Sequence, residues 1–268
     1  RVLMAPDFGD SGIAYAATLG AGTSAFQRTT DGGESWNQIS LIDYNEYTVV
    51  DLDAAGYNAD GTLHVTTQVS DDQGALWQRT ASKNWERILS YATPGVTDTL
   101  EKLDILGDGS AMFATDLNEG KIWRSTDMGA TFLKKISTKT PLTTVAPVSA
   151  TTLYTGSVGE IWWSTRSGTG WTKPDDSEIP SETPIIGVGI AGDIVLASSV
   201  GGQVFISSDG GEIVERIGSD GPFAAGPTIV TSDLGFAGNG ILYATAPGQP
   251  GVMRCVVDLD NPGDAEWI

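Results

Sequence analysis

The sequence predicts an all-β fold, a single six-bladed β-propeller of four-stranded antiparallel blades, and three observations carry that reading. A strand-like segment recurs six times at a period of about 45 residues. Gly and Pro fall in turn-like clusters along the whole chain, as many short strands require. A hairpin motif of Ser/Thr, Asp and Gly closes three of the six repeats, and a version without Asp closes a fourth. The expected domain is residues 1–268, with blades at about 1–40, 41–89, 90–137, 138–174, 175–218 and 219–268.

The recurring segment reads GIAYAATL (12–19), GTLHVTTQ (61–68), SAMFATDL (110–117), TTLYTGSV (151–158), DIVLASSV (193–200) and GILYATAP (240–247). Its large residue falls at Tyr15, His64, Phe113, Tyr154, Leu196 and Tyr243, and the five intervals average 45.6 residues. That period suits a four-stranded blade and exceeds most leucine-rich or ankyrin units. A following strand carries Phe26, Trp77, Trp123, Trp162, Phe205 and Met253. A preceding strand is rich in small and β-branched residues, as in VVDLDAA (49–55), TTVAPVS (143–149) and IIGVGIA (185–191), which fits the crowded centre of a propeller. A short outer strand ends the unit, as in SWNQI (35–39), NWERI (84–88) and AEWI (265–268).

Between the third and outer strands lies the pattern S/T-x-D-x-G-x-S/T-W/F. TTDGGESW (29–36) carries Asp31, Gly33 and Trp36, and STDMGATF (125–132) carries Asp127, Gly129 and Phe132. SSDGGEIV (207–214) keeps Asp209 and Gly211 without the aromatic. STRSGTGW (164–171) keeps Gly168 and Trp171 but has Arg166 in place of Asp. TASKNW (80–85) and DLDNPGDAEW (258–267) retain little beyond the aromatic. The chemistry predicts a folded hairpin: the carboxylate accepts hydrogen bonds from the turn, Gly supplies positive φ, and the aromatic packs back between blades. These are structural duties, and no catalytic residue is assigned.

The 268 residues include 40% hydrophobic and 18% charged positions, enough apolar material for a sizeable core. The formal charge of −19 repels nucleic-acid backbones and anionic membranes and favours cations or basic partners. A single cysteine, Cys255, excludes an internal disulfide and a cysteine zinc cage and reads as a small buried hydrophobe. No stretch approaches the roughly 20 apolar residues that span a bilayer, so this segment is expected to make no direct membrane insertion. The start at Arg1 reads as a removed leader or as a piece cut from a longer chain.

The Asp boxes resemble those of the Asp-box (BNR) repeat propellers, which include sialidases, sortilin-type receptor domains, xyloglucanase-like glycosidases and photosystem II assembly factors. The resemblance covers nearly the whole chain and marks fold more than activity. For a sialidase it implies an arginine triad, yet Arg28, Arg79, Arg124 and Arg254 lie toward the box end of their strands, and Arg1 is followed by Val2 and Leu3 instead of Ile-Pro. For a xyloglucanase it implies two carboxylates across a cleft between two propellers, and one propeller is expected here. For the assembly factors it implies a basic patch that is not apparent. His64 shares the register of Tyr15 and Phe113 and reads as a packed strand residue. GDSG (9–12) falls in a first-to-second strand turn, and SVGGQ (199–203) reads as a plain loop.

Ligand binding is expected on the loops opposite the boxes. That face collects Asp43, Glu46, Asp71, Asp72, Asp98, Asp116, Glu119, Glu160, Asp175, Asp176, Glu178, Glu182 and Asp220 against Lys139 and Lys173. It suggests a protein partner or glycan on an acidic rim. Asp258, Asp260 and Asp264 form the most calcium-like run, without the full EF-hand pattern, and no other cofactor is indicated. The function read from the sequence is a non-catalytic extracellular or cell-surface recognition scaffold; the alternative is a glycan-binding or glycoside-hydrolase module of a larger enzyme.

Overall fold

Alternating apolar positions cut by glycine-rich turns favour short, hairpin-linked strands. The computed structural model describes residues 2–5, 7–19, 24–42, 47–55, 62–69, 74–79, 84–90, 100–106, 109–116, 120–136, 142–233 and 235–268. Among them the fold is all-β, with six small sheets built from strands consecutive in sequence. The chain divides into two compact units, Arg1–Lys135 and Ile136–Ile268, described in turn.

The first unit opens with β1 (Val2–Met4), the one-turn helix α1 (Phe8–Ser11), β2 (Ala14–Leu19), β3 (Ser24–Thr29) and β4 (Asn37–Ile42), paired in that order. The second sheet is β5 (Tyr47–Ala55), β6 (Thr62–Val69), β7 (Gly74–Arg79) and β8 (Trp85–Ser90). The third is β9 (Leu100–Ile105), β10 (Met112–Asp116), β11 (Lys121–Ser125) and β12 (Leu133–Ile136). Apolar residues fill the spaces between consecutive sheets. Tyr15, Ala17 and Phe26 of the first meet Leu52, Leu63 and Val65 of the second, while Leu76 meets Leu103, Ile105, Met112 and Ala114.

In the second unit the fourth sheet is β13 (Ala146–Pro147), β14 (Leu153–Gly156) and β15 (Ile161–Ser164). The fifth adds β16 (Asp176–Ser177), β17 (Ile185–Ala191), β18 (Ile194–Ser199), β19 (Val204–Ser207) and β20 (Ile213–Arg216). The sixth is β21 (Ile229–Ser232), helix α2 (Phe236–Asn239), β22 (Ile241–Thr245) and β23 (Met253–Val256). Tyr154 and Ile161 pack on Val195, Ala197 and Phe205, and Leu196 and Ile206 pack on Leu242, Cys255 and Val257. The large second-strand residue is buried in the first five repeats, His64 included. In the sixth, Tyr243 is half-exposed on a face that also leaves Ile229, Val252, Val256 and Ile268 exposed.

The recurring segments all form second strands, but the four-strand count is not uniform. In the fourth sheet the outer strand shrinks to one bridge, Trp163 with Thr172, and in the sixth the outer position is the Arg254–Ile268 pair, bonded both ways at 2.8 Å. In the fourth, the Thr172 N–H donates to Trp163, but the next residue due to donate along β15 is Pro174, which has no N–H, so the ladder stops there. The fifth sheet gains β16, parallel to β20 on its outer edge, so Asp176 lies in an edge strand and not in a free loop. That added strand covers an otherwise unpaired ladder. GDSG is likewise more than a turn, since Phe8–Ser11 winds one helical turn closed by Gly12, and Gly240 closes α2 the same way.

Candidate functional site

Four box hairpins are described, and they share one hub. The first Ser or Thr of each pattern is buried: Thr29, Ser125, Ser164 and Ser207. Its hydroxyl accepts the N–H of the box Gly, at 2.9 Å from Gly33, 2.8 Å from Gly129, 3.1 Å from Gly168 and 2.8 Å from Gly211. In the three boxes with Asp, the same hydroxyl donates to the carboxylate, at 2.7 Å for Asp31 and Asp127 and 2.6 Å for Asp209. The carboxylate then accepts from the far side of the turn: the N–H and hydroxyl of Ser35, those of Thr131, and the N–H groups of Glu212 and Ile213.

These bonds favour the ionised carboxyl. The Thr131 hydroxyl, Thr131 N–H and Ser125 hydroxyl pull Asp127 down to about 2. Asp31 is lowered further by the Ser35 hydroxyl and N–H and by Thr29. Burial raises Asp209, but hydrogen bonds from Ser207, Ile213, Glu212 and Gly211 outweigh it and leave a net lowering. The fourth box holds its turn without Asp: Ser164 accepts from Arg166 and Gly168, and Thr169 bonds the Arg166 carbonyl. The hub hydroxyl and the Gly therefore carry the turn, and Asp braces it. Sequence reasoning gave the central role to Asp; the signal for the hub was the Ser or Thr heading each of these four copies.

The turns are stapled to their own sheets, with Gly32, Ser167 and Gly210 donating to the carbonyls of Gly12, Thr151 and Asp193 just before the second strands. Box glycines also permit close approach to the preceding sheet. A Cβ on Gly129 would lie 2.3 Å from Ile88 Cδ1, and Gly211 sits against Trp163 while the Tyr154 hydroxyl donates to the Gly210 carbonyl at 2.8 Å. Phe132 packs into the core between second and third sheets, and Trp85 lies 4.8 Å from the Phe26 ring. Trp36 belongs to the first sheet of its unit, which holds no earlier sheet for it to pack on. Trp171 is half-buried. Residues 80–83 of TASKNW lie outside the described residues.

The Asp258, Asp260 and Asp264 run is used for its own turn: Asp258 Oδ1 accepts the Asp260 N–H at 3.0 Å, and Pro262–Asp264 forms a single 3-10 turn. Among the described residues no three His, Cys, Asp or Glu side chains gather as a metal-holding group, so these acids are not brought together as ligands. Of the acidic rim, Asp43, Glu46, Asp71, Asp72, Asp98, Glu119 and Lys139 lie outside the described residues. Asp175, Asp176, Glu178, Glu182 and Asp220 are exposed, and Glu160 forms a 3.6 Å ion pair with Lys173 that solvent weakens.

At this end the second unit contains two equivalent constructions. The loops Ser157–Glu160 and Ser199–Gln203 both begin Ser-Val-Gly. The Ser157 carbonyl accepts the Ile185 N–H and the Ser199 carbonyl accepts the Thr228 N–H, each at 3.0 Å, stitching a loop to the segment entering the next sheet. Gly159, at φ 73°, lies so close that a Cβ would sit 2.4 Å from the Ser181 carbonyl oxygen; at Gly202 the Phe223 oxygen would be 2.1 Å away. Beside each stitch opens a cleft. One of about 330 Å³ is lined by Val158, Glu160, Lys173, Asp175, Asp176 and Ile179. The other, of about 360 Å³, is lined by Gln203, Arg216, Asp220, Gly221 and Phe223. The sequence placed binding at this end but missed the glycine contacts that shape it, although the repeated Ser-Val-Gly was visible.

The sequence matches no protein-family profile and no curated protein. Solved structures resemble it in fold. An ancestral GH74 enzyme aligns with 100% of this chain at 15% identity and a TM-score of 0.72, over 38% of its own length. The GH74 xyloglucanase of Xanthomonas campestris aligns with 100% at 16% identity and a TM-score of 0.69, over 44% of its length. YCF48 bound to a D1 peptide aligns with 92% at 18% identity and a TM-score of 0.62, over 75% of its length. The chain thus spans less than half the length of the GH74 chains it resembles. These neighbours are β-propellers, and at such identities the likeness is one of fold alone.

Proposed function

We propose that the six sheets are the blades of one six-bladed Asp-box propeller spanning residues 1–268, and that it is a non-catalytic recognition scaffold at the cell surface or outside the cell. Its protein partner binds the ends of the sheets opposite the boxes. The observation that carries this reading is the contrast between the two ends. Box hydroxyls, carboxylates and amides are consumed by one another. The opposite end of the second unit instead holds two stitched clefts with exposed charged side chains at their rims. Loops held on a rigid scaffold suit binding, and a −19 chain attracts basic segments. A neighbour of the same fold class binds a peptide, which supports protein recognition. The GH74 likeness supports a second reading, a glycan-binding or glycan-cleaving module of a larger enzyme.

The test is titration with a Lys-rich peptide and, separately, with xyloglucan oligosaccharides. The combined variant Glu160→Gln, Asp175→Asn, Asp176→Asn and Glu182→Gln is compared with Asp10→Asn, Glu34→Gln at the box end. Saturable peptide binding that weakens about tenfold in the first variant and not in the second is expected. Binding of the sugars alone, or equal loss in both variants, overturns the protein-recognition reading.

A further inference from the structure

We draw no further inference here: the strongest candidate, the cleft of about 330 Å³ beside the Ser157–Glu160 loop with Glu160, Asp175 and Asp176 at its rim, belongs to the recognition surface already proposed, and an acidic rim by itself does not single out a ligand.

Discussion

Replacing Ser125 by Ala removes the centre of the second complete box while leaving its Asp and Gly in place. The Ser125 hydroxyl, 2% exposed, accepts the Gly129 N–H at 2.8 Å and the Asp127 N–H at 3.3 Å and donates to Asp127 Oδ1 at 2.7 Å. Gly129 is buried, so the substitution strands its N–H away from water; that alone costs about 2 kcal/mol. For a domain of this size the melting temperature should fall by about 4–8 °C. Differential scanning calorimetry of Ser125→Ala, Ser125→Thr and Asp127→Asn provides the comparison. Thr should be tolerated to within about 0.5 kcal/mol, since Thr29 fills the same place in the first box. Asp127→Asn should lower the melting temperature by less than Ser125→Ala, because the fourth box keeps its turn with Arg166 at that position. A shift below about 1 °C for Ser125→Ala, or a larger shift for Asp127→Asn, refutes the hub.

Gly159→Ala forces a side chain onto the Ser181 backbone at φ 73°, so it should destabilise the protein by about 1–3 kcal/mol in thermal melts and lower affinity for any ligand of the adjacent cleft. The pKa values of the box carboxyls lie below the ordinary 3.8, with Asp127 at about 2, so their contribution is complete above about pH 5 and is lost as pH falls through 4 toward 2. Acid melts should therefore be flat above about pH 5 and decline below pH 4, and Asp127→Asn should flatten part of that decline. Burial pushes the Cys255 thiol up to about 12, so it should react with a disulfide reagent at neutral pH only at the rate of unfolding; rapid labelling of the native protein would contradict its placement.

The six second strands were legible because one large residue between small or β-branched ones recurs at a fixed interval, and that periodicity survives even where the boxes degenerate. Outer strands were less legible, since Pro174 trims one to a single bridge and β16 arrives from a connection with no strand pattern of its own. The one-turn helices α1 and α2 are too short for helical periodicity and were visible only as Gly-closed turns. At the end opposite the boxes, acidic loops could be placed by counting strand directions. The Gly159 and Gly202 contacts depend on how a loop meets the segment entering the next sheet, and composition is silent on that.

Hydrogen–deuterium exchange of the protein with and without the Lys-rich peptide tests the assignment of the binding end most directly. New protection is expected in residues 157–160, 173–183, 199–203 and 219–226, with the box hairpins at 29–36, 125–132, 164–171 and 207–214 unchanged. Protection concentrated in the boxes would contradict it.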